Sequence, residues 1–371
     1  MSVAAAFKSL KSSALFSWKP TGKLQKTVAN CIERTGQGLH SGEISTVKIL
    51  SEAARAGRYF IFGSNVIRAS IDNIVRDTPL CTALSRDGYS VRTVEHLLSA
   101  LEACGVDNCR IEIGGSNNCD RSVEVPIFDG SAREWVDAIN QSGLKVAVDI
   151  GGQSCQKLAP YLNEPVHVLH NDSFIAAIPY PKVCITYGID YPQAPAIGCQ
   201  WFSSSMLDES IYSNSIGPSR TFCIYEETIP FHFLSFMYPL KNMCARSLTH
   251  RIGPVTRIVS FIFYTFPALS GFVSVEVEHM RNLGLIKGGS AETAIVCSMT
   301  KGWMNPPLRY DNEPCRHKVL DLIGDFSLLA EEGNQGLLVA HIVAYKGGHS
   351  LHAEFVRRLV GNDAVSEELT A

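Results

Sequence analysis

The stretch RHKVLDLIGDFSLLA, Arg316–Ala330, decides how this sequence is interpreted. Its apolar residues recur with the spacing of one helix face, at Val319, Leu322, Ile323 and Phe326. His317 and Asp321 stand four residues apart, so a helix presents both on one face, with Asp325 one turn further along. A neutral imidazole and a carboxylate directed at one point supply two of the three protein ligands of a catalytic zinc site. Such a pair is also typical of a solvated helix face, so the pattern needs support from elsewhere in the chain.

A second stretch, RTVEHLLSALEACGVDN at Arg92–Asn108, provides that support. Its apolar spacing predicts a helix for which Thr93 is the N-cap, with Glu95 and His96 in the first turn. The unpaired backbone N–H groups of a first turn favour negative charge, such as a carboxylate base or a metal-bound hydroxide. An acid that merely suits the helix dipole, beside a hydrogen-bonded histidine, is the alternative.

Near the C-terminus, AHIVAYKGGHSLHAEFVRRL is typical of a strand, a turn at Lys346 and a helix that begins at His349. His349 therefore lies where a strand gives way to a helix, a position that hosts many functional residues. His341 within the strand and His352 within the helix are predicted to have structural roles.

The motifs of the chain resemble those of one enzyme family. In order, they are TVEHLLSAL, SRTFC, GLIKGGSAETAIV, RHKVLDLIGDF and AYKGGHSLH, with TGQGLHSGE and VEVPIFDGSAREWVDAI as further matches. They resemble the UDP-3-O-acyl-N-acetylglucosamine deacetylase (LpxC) family, the zinc enzymes of lipid A synthesis, and resemblance to a plant-like organellar member is suspected. The resemblance extends from about Thr27 to Leu359, with one interruption.

The resemblance implies an active site and a reaction. The implied zinc ligands are His96, His317 and Asp321. Glu95 matches the general base that takes a proton from the zinc-bound water, and His349 matches a general acid or oxyanion stabiliser. Thr221 matches a hydroxyl that hydrogen-bonds the oxyanion, and Asp325 matches a carboxylate that orients His349. The implied reaction converts UDP-3-O-acyl-N-acetylglucosamine into UDP-3-O-acyl-glucosamine and acetate, the committed step of lipid A biosynthesis. One Zn²⁺ per chain is expected, although two imidazoles and one carboxylate also accept Fe²⁺.

The resemblance also implies a substrate site. Lys318 and Lys346 match basic residues near the sugar and the diphosphate, where point-charge attraction would hold them. Solubility is the alternative role of both lysines. Tyr191 falls where the family has an aromatic at the uracil end, and Phe222 matches a neighbour of the acyl chain.

Composition limits the other possibilities. The chain has 371 residues, 46% of them hydrophobic and 19% charged, which is typical of two globular domains. The net charge of −3 and the scattered Lys and Arg argue against nucleic acid as a partner. The 12 cysteines are dispersed without a CxxC pair, which favours free thiols in a reducing compartment. The oligomeric state is open, with a monomer favoured.

The N-terminal segment Met1–Lys26 differs from the rest of the chain. It holds several Ser and Ala and no acid, and its lysines are Lys8, Lys11, Lys19, Lys23 and Lys26. A basic, acid-free leader of this kind resembles an organellar transit peptide, and a merely disordered basic tail is the alternative. A mitochondrial location is predicted first and a plastid location second.

The order of strand and helix patterns predicts the α+β class. An N-terminal domain is expected at 27–148, a linker at 149–165, a C-terminal domain at 166–361 and a tail at 362–371. Each domain combines several strands with two helices. The family resemblance implies two similar units, each a two-layer sheet-plus-helices arrangement with a small insert. The units would pack face to face with the active site between them.

The segment Thr228–Ser274 interrupts the resemblance. It has no Asp or Glu, seven of the 17 phenylalanines, four prolines and two glycines. We interpret it as an insertion that is a translated retained intron or a gene-model error, and an acyl-binding elaboration is a further alternative. A transmembrane span is not expected, because the longest apolar run, Ile258–Phe272, is shorter than the ~20 residues needed. The insertion could disrupt the passage that the family uses for the acyl chain. The alternative function is accordingly a catalytically impaired paralogue or a lipid-binding remnant.

Overall fold

The computed structural model describes the chain on both sides of one long internal segment. The described residues are 10, 13–76, 78, 80–115, 121–204, 206–225, 286–290, 292–305 and 307–361. The predicted insertion at 228–274, the predicted tail at 362–371 and the first nine residues of the predicted leader lie outside them.

The described residues form strands, five helices and a few single turns. The first strands are β1 Phe16–Leu24, β2 Lys26–Val28, β3 Ile32–Gln37, β4 Ile44–Ser51, β5 Arg58–Phe62, β6 Asn65–Arg68, β7 Ala83–Arg86, β8 Tyr89–Arg92, β9 Cys109–Gly115 and β10 Ser122–Glu124. The later strands are β11 Leu144–Val146, β12 Gln156–Leu162, β13 Val166–His170, β14 Ser173–Pro179, β15 Cys184–Tyr191, β16 Gly198–Ser204, β17 Phe222–Tyr225, β18 Ile295–Ser298, β19 Gly302–Trp303 and β20 Ala340–Tyr345. The helices are α1 Glu95–Ala103, α2 Arg133–Ser142, α3 Glu209–Ile211, α4 Glu313–Phe326 and α5 His349–Val360. Single helical turns lie at Ile71–Asn73, Tyr212–Ile216 and Ser327–Leu329.

The two halves of the chain repeat one topology. One five-stranded sheet has the order β3-β4-β9-β5-β6 and the other has the order β13-β14-β20-β15-β16. The middle strand of each sheet, β9 or β20, comes last of its five strands in the chain. Strand β9 is parallel to β5 and antiparallel to β4, and β20 is parallel to β15 and antiparallel to β14. One helix precedes this middle strand (α1 or α4) and one follows it (α2 or α5). Each half also carries a small three-stranded sheet, β10-β8-β7 or β17-β18-β19. The predicted α+β class with two similar units is confirmed, while the exact domain boundaries stay predictions.

Alternating burial explains how each sheet meets the core. Val47 and Ile49 in β4 are buried while Lys48 between them is exposed, and Ile342 and Ala344 are buried in β20. This period of two directs one face of each sheet inward. Helices α1 and α4, which occupy equivalent places in the two halves, are buried on nearly all sides and pack against each other.

Gly324 allows the close contact between α1 and α4. A Cβ atom at this position would lie 2.2 Å from the carbonyl oxygen of Glu95. Only glycine permits the backbones to approach this closely. The first turn of α1 is therefore held directly against the side of α4 that carries Asp321 and Asp325.

Two strands that pair with each other lie in the segments predicted as leader and linker. Strand β1, within the predicted leader, pairs antiparallel with β12, within the predicted linker, from Phe16 opposite Leu162 to Leu24 opposite Gln156. Phe16 is 2% exposed and belongs to the core. The lysines gave this segment the composition of a leader, but pairing with a distant strand orders it. A transit peptide before β1 stays a prediction.

Two further features concern the described residues alone. In this part of the chain, no helix combines the length and the apolar character that crossing a membrane requires. None of the ten cysteines described there forms a disulfide, and seven of them are buried.

Candidate metal centre and active site

Three side chains from the two central helices converge on one point. His96 lies in the first turn of α1, and His317 and Asp321 lie one turn apart on α4. The Asp321 Oδ1 atom is 3.7 Å from His96 Nε2 and 3.3 Å from His317 Nε2. One ligand atom from each residue lies within 4.8 Å of the other two, as binding of a single cation requires. The structure thus brings together the three residues predicted as metal ligands.

The two imidazoles have the protonation state of metal ligands. His317 donates its Nδ1–H to the carbonyl oxygen of Ser219 at 3.0 Å, which leaves Nε2 as the free nitrogen facing Asp321. Burial lowers the pKa of His96 to about 3, with a further contribution from His317. Burial also lowers the pKa of His317, against the opposing charge of Asp321. Both rings are therefore neutral near pH 7, as metal coordination requires.

Asp321 provides the test of whether a cation fits. Its Oδ1 atom is buried and has no hydrogen-bond partner among the described residues, and the same holds for His96 Nδ1. Burial would raise the pKa of Asp321, but interaction with His317, Lys318 and His349 lowers it well below the usual range. A buried carboxylate oxygen without a partner is costly unless a cation compensates it. The donor set of two neutral imidazoles and one carboxylate fits a catalytic zinc ion.

Glu95 lies next to this donor set. Its Oε2 atom accepts the backbone N–H of Thr82 at 2.9 Å. Burial raises the pKa of Glu95 to about 8; His349 opposes this shift, and Asp321 and Asp325 add to it. A carboxyl group with a pKa near neutrality can both accept and return a proton. The role of Glu95 as general base stays a prediction.

His349 is held on the other side of Asp321. Its Nε2 atom is 4.0 Å from Asp321 Oδ2, and its Nδ1–H donates to Asp325 Oδ2 at 2.8 Å. Burial alone would lower the pKa of His349, but the charge and hydrogen bond of Asp325 raise it to about 9. The Thr82 hydroxyl donates to Asp325 Oδ1 and lies 3.2 Å from His349 Nδ1. The predicted pairing of Asp325 with His349 is therefore present.

Comparison with protein families agrees with this geometry. The family model of the UDP-3-O-acyl N-acetylglycosamine deacetylases matches residues 25–232 and 265–361. This chain belongs to that family. The expected family resemblance is thereby confirmed, and residues 233–264, inside the segment interpreted as an insertion, fall outside the match.

Similar proteins are found in plants and cyanobacteria. The Arabidopsis thaliana protein called probable UDP-3-O-acyl-N-acetylglucosamine deacetylase 1, mitochondrial, is 49% identical over 353 residues, which cover 95% of this chain and 93% of that protein. A UDP-3-O-acyl-N-acetylglucosamine deacetylase of Nostoc sp. is 38% identical over 343 residues, covering 91% of this chain and 98% of its own length. One of Thermosynechococcus vestitus is 36% identical over 339 residues, covering 90% and 93%.

The two lysines predicted to bind substrate have different surroundings. Lys318 Nζ lies 3.1 Å from Asp321 Oδ2, which places a lysine ammonium group directly beside the candidate metal site. Lys346 Nζ lies 2.8 Å from Asp172 Oδ2 and 3.4 Å from Asp190 Oδ2. A diphosphate at Lys346 would therefore compete with two carboxylates.

The remaining predicted residues lie near the same helices. The rings of Tyr191 and Phe222 meet edge to face with centroids 5.6 Å apart. Tyr191 is also close enough to Lys318 for that cation to lower its pKa, although burial raises the pKa overall. Thr221 is held by its backbone N–H to the Gly130 carbonyl at 2.7 Å and lies two residues beyond Ser219, the partner of His317.

Sequence reasoning missed several contributors to the site. Thr82 contacts both Glu95 and Asp325, but nothing in its local pattern marks it. The sequence predicts only a structural role for His352, yet its Nδ1 lies 2.7 Å from Asp325 Oδ2. The chemical signal for it was the second histidine three residues after His349 on one helix face.

The predicted cap of α1 is wrong. Val94 occupies the N-cap position without a side-chain hydrogen bond. Thr93 has φ of 57° and donates its hydroxyl to Glu124 Oε1 at 2.7 Å. With a left-handed backbone and a hydroxyl directed at buried Glu124, Thr93 belongs to the loop before α1 and does not cap the helix.

Proposed function

We propose that this chain is a zinc-dependent amidohydrolase that removes acetate from UDP-3-O-acyl-N-acetylglucosamine and forms UDP-3-O-acyl-glucosamine. In the family this reaction is the committed step of lipid A biosynthesis. The observation that carries the proposal is the buried, unpartnered Oδ1 atom of Asp321 between two neutral imidazoles, with Glu95 and His349 on either side. The metal ligands in this proposal are His96, His317 and Asp321.

Amide hydrolysis needs an activated water, a stabilised oxyanion and a protonated leaving amine. A zinc ion bound by the three ligands would supply Lewis acidity, which lowers the pKa of water toward ~7 and polarises a carbonyl oxygen. Fe²⁺ suits the same donors and is the second metal to test.

Glu95 and His349 divide the proton transfers between them. Glu95, fixed by the Thr82 N–H, accepts a proton from the attacking water. His349 is protonated at neutral pH because Asp325 raises its pKa to about 9 against the effect of burial. Its Nε2–H can donate to the developing oxyanion and then to the leaving amine. The hydroxyl of Thr221 is the proposed second donor to the oxyanion, and loss of one such donor typically costs about 10²–10³ in rate.

The other predicted residues would bind the rest of the substrate. Lys318, beside Asp321, suits the sugar, and Lys346 suits the diphosphate if the phosphate oxygens displace Asp172 and Asp190. Tyr191 is the proposed partner of the uracil ring, and its neighbour Phe222 is the proposed contact of the acyl chain.

The proposed location is the mitochondrion. Five Arabidopsis thaliana relatives at 49% identity carry that location in their names, and the first residues have the composition of a transit peptide. A C-terminal fluorescent fusion should co-localise with a mitochondrial marker and lose that location when residues 1–12, which precede β1, are removed. Import into plastids would overturn this part of the proposal.

The test of the activity combines turnover with metal content. The full chain is expected to bind one zinc and to release acetate from UDP-3-O-acyl-N-acetylglucosamine. His96→Ala should lose both the metal and the activity, whereas Glu95→Gln should keep the metal and lose the activity. A metal-loaded wild-type chain that releases no acetate would refute the proposed reaction.

One observation favours a second candidate, a catalytically impaired lipid-binding paralogue. Residues 233–264 lie outside the family match, within a segment rich in phenylalanine and without acids. Deleting residues 228–274 discriminates between the two functions. Retained metal without turnover in the full chain, with turnover restored by the deletion, would support the impaired paralogue.

A further inference from the structure

The carboxylate of Asp325 is held by more than its bond to His349. Its Oδ2 atom accepts two N–H groups, from His349 Nδ1 at 2.8 Å and from His352 Nδ1 at 2.7 Å. Its Oδ1 atom accepts the hydroxyl of Thr82. Since Asp325 and His352 are both completely buried, no solvent competes for these bonds. Three donors thus fix the carboxylate at both oxygens.

A tyrosine determines the tautomer of His352. The hydroxyl of Tyr187, on the middle of β15, lies 3.0 Å from His352 Nε2. The Nδ1 atom must carry a proton to donate to Asp325, so Nε2 of the neutral ring is an acceptor for the Tyr187 O–H. Burial keeps both groups in these forms, because it lowers the pKa of His352 and raises that of Tyr187 well above the usual value. The bonds therefore run in one direction, from Tyr187 to His352 to Asp325.

The surroundings of His352 offer no other reason for an imidazole. The ring meets Phe326 edge to face at 6.3 Å, within the apolar core. An apolar side chain would fill this space without the cost of burying two ring nitrogens. Gly347 leaves room for the pair, because a Cβ there would lie 2.6 Å from the Tyr187 hydroxyl and 3.2 Å from His352 Nε2.

We propose that His352 and Tyr187 are positioning residues, which hold Asp325, and through it His349, in the orientation that the hydrolysis requires. The proposal rests on the proposed function for its kinetic consequence. His349 and His352 are one turn apart on α5, so the same carboxylate oxygen sets the angle of both rings. Without the His352 N–H, the carboxylate could turn and the Nε2 atom of His349 would no longer point steadily toward Asp321.

A matched pair of substitutions separates positioning from packing. His352→Leu removes the N–H donor, whereas His352→Asn offers a side-chain N–H near the position of Nδ1. We expect His352→Leu to lower kcat by about 10- to 100-fold, the usual cost of losing such a supporting contact, with KM unchanged within about twofold. The Asn variant should recover most of kcat, and both variants should retain wild-type metal content. Tyr187→Phe should lower kcat by a smaller factor.

The second readout needs no turnover. In ¹⁵N-labelled full chain, the His352 Nε2 resonance, assigned by its absence in His352→Asn, should show an unprotonated nitrogen that shifts in Tyr187→Phe. A protonated Nε2 in the wild-type chain would overturn the proposed direction of the bonds. Wild-type kcat in His352→Leu, or equal loss in the Leu and Asn variants, would overturn the positioning role.

These outcomes are distinct from failure of the proposed function. If the wild-type chain releases no acetate, the function fails, yet the nitrogen signature still decides the direction of the bonds. If His352→Leu does not fold, Tyr187→Phe, which removes one hydroxyl, carries the kinetic test. In that case a kcat equal to the wild-type value counts against the proposal.

Discussion

The two ends of helix α1 carry buried charges in opposite arrangements. At its N-terminal end, which we call the metal end, Glu95 and His96 face Asp321 and His349. At its C-terminal end, which we call the ion-pair end, Glu102 is the central charge. The two ends are less than three turns apart on one helix and have similar burial.

At the ion-pair end every charge is compensated. Arg58 Nη2 lies 2.7 Å from Glu102 Oε2, and Lys157 Nζ lies 2.6 Å from Asp107 Oδ1. Glu102 Oε1 also accepts the backbone N–H groups of Gly336 and Leu337 at 3.0 and 2.9 Å. These contacts tie the first half of the chain to the loop before β20.

The metal end is compensated only in part, by Lys318 beside Asp321 Oδ2 at 3.1 Å. Asp321 Oδ1 has no hydrogen-bond partner in the part of the chain that the structure describes, and Glu95 has a raised pKa because burial disfavours its charge. The comparison teaches that burial alone does not mark a functional site in this protein. The distinguishing feature is a buried carboxylate oxygen, Asp321 Oδ1, that faces two neutral imidazoles instead of a paired cation, an arrangement that suits a metal ion.

The largest expected effect separates the two ends by activity. Asp321→Asn should reduce acetate release by on the order of 10³-fold or more, since losing a single electrostatic stabiliser already costs about 10²–10³. The bound zinc should be lost as well. The unfolding free energy of the metal-free protein should change less in Asp321→Asn than in Arg58→Met, which disrupts the ion-pair end. Kinetics, metal analysis and denaturant unfolding measure these effects. Asp137→Asn, on the exposed side of α2, is the control that should change none of them. Full activity in Asp321→Asn would contradict the assigned ligand.

The next effect concerns stability. Arg58→Met leaves the buried carboxylate of Glu102 without its ion-pair partner, which should cost about 3–5 kcal/mol of unfolding free energy. Activity per folded molecule and zinc content should stay at the wild-type values. Urea unfolding followed by circular dichroism gives the free energy. The double variant Arg58→Met/Glu102→Gln removes both charges, keeps an oxygen for the backbone N–H groups and should recover much of the loss. Loss of zinc in Arg58→Met would show that the two ends are coupled.

The sequence predicted the metal end far better than the ion-pair end. Histidine and carboxylate at helical spacing, together with the family motifs, identified His96, His317 and Asp321. Arg58 and Lys157 lie in segments without a motif, and their partners are 44 and 50 residues away in the chain, at Glu102 and Asp107. Pairing over such distances depends on the tertiary fold and leaves no local pattern.

The fold shows the same limit. Apolar periodicity predicted α1, α4 and α5 to within a few residues, because each has a strong local pattern. The composition of the first 26 residues predicts a leader, whereas the structure places strand β1 there. The order of β1 comes from hydrogen bonds to β12, more than a hundred residues later, and such pairing leaves no local pattern. The left-handed backbone of Thr93 was also missed, since Glu124, the partner of its hydroxyl, is a tertiary contact.

A smaller effect tests how helix contact shapes the metal end. Gly324→Ala would put a Cβ 2.2 Å from the Glu95 carbonyl oxygen, so the first turn of α1 must move away from α4. Such overpacking typically costs about 1–3 kcal/mol of unfolding free energy. Because the shift separates His96 from Asp321, zinc affinity should also fall, as measured by competition with a chelator. Gly114→Ala is the matched control, since a Cβ there meets nothing within 4 Å. Unchanged zinc affinity in Gly324→Ala would mean that the close contact is not needed for the metal site.

The smallest expected effect is the acid dependence of the ion-pair end. Burial alone would raise the pKa of Glu102, but Arg58 and then Lys157 lower it below the usual value of 4.5. In the unfolded chain Glu102 binds a proton near pH 4.5, whereas in the folded protein it does so only at lower pH. Its contribution to stability is therefore complete above pH 4.5 and is lost as the pH falls through the lower folded value.

The measurement that isolates this contribution is the unfolding free energy of the metal-free protein between pH 6 and pH 3, about the range over which carboxylates titrate. The wild-type free energy should fall more steeply with decreasing pH than that of Arg58→Met/Glu102→Gln, which has no carboxylate at position 102. Asp107 is present in both proteins. Burial raises its pKa, although Lys157 opposes that shift, so Asp107 changes the unfolding free energy with pH in the opposite direction. This contribution cancels in part when the two profiles are subtracted. Parallel pH profiles would mean that Arg58 and Lys157 do not favour the charged form of Glu102. The proposed contrast between the two ends of α1 would then rest on the metal end alone.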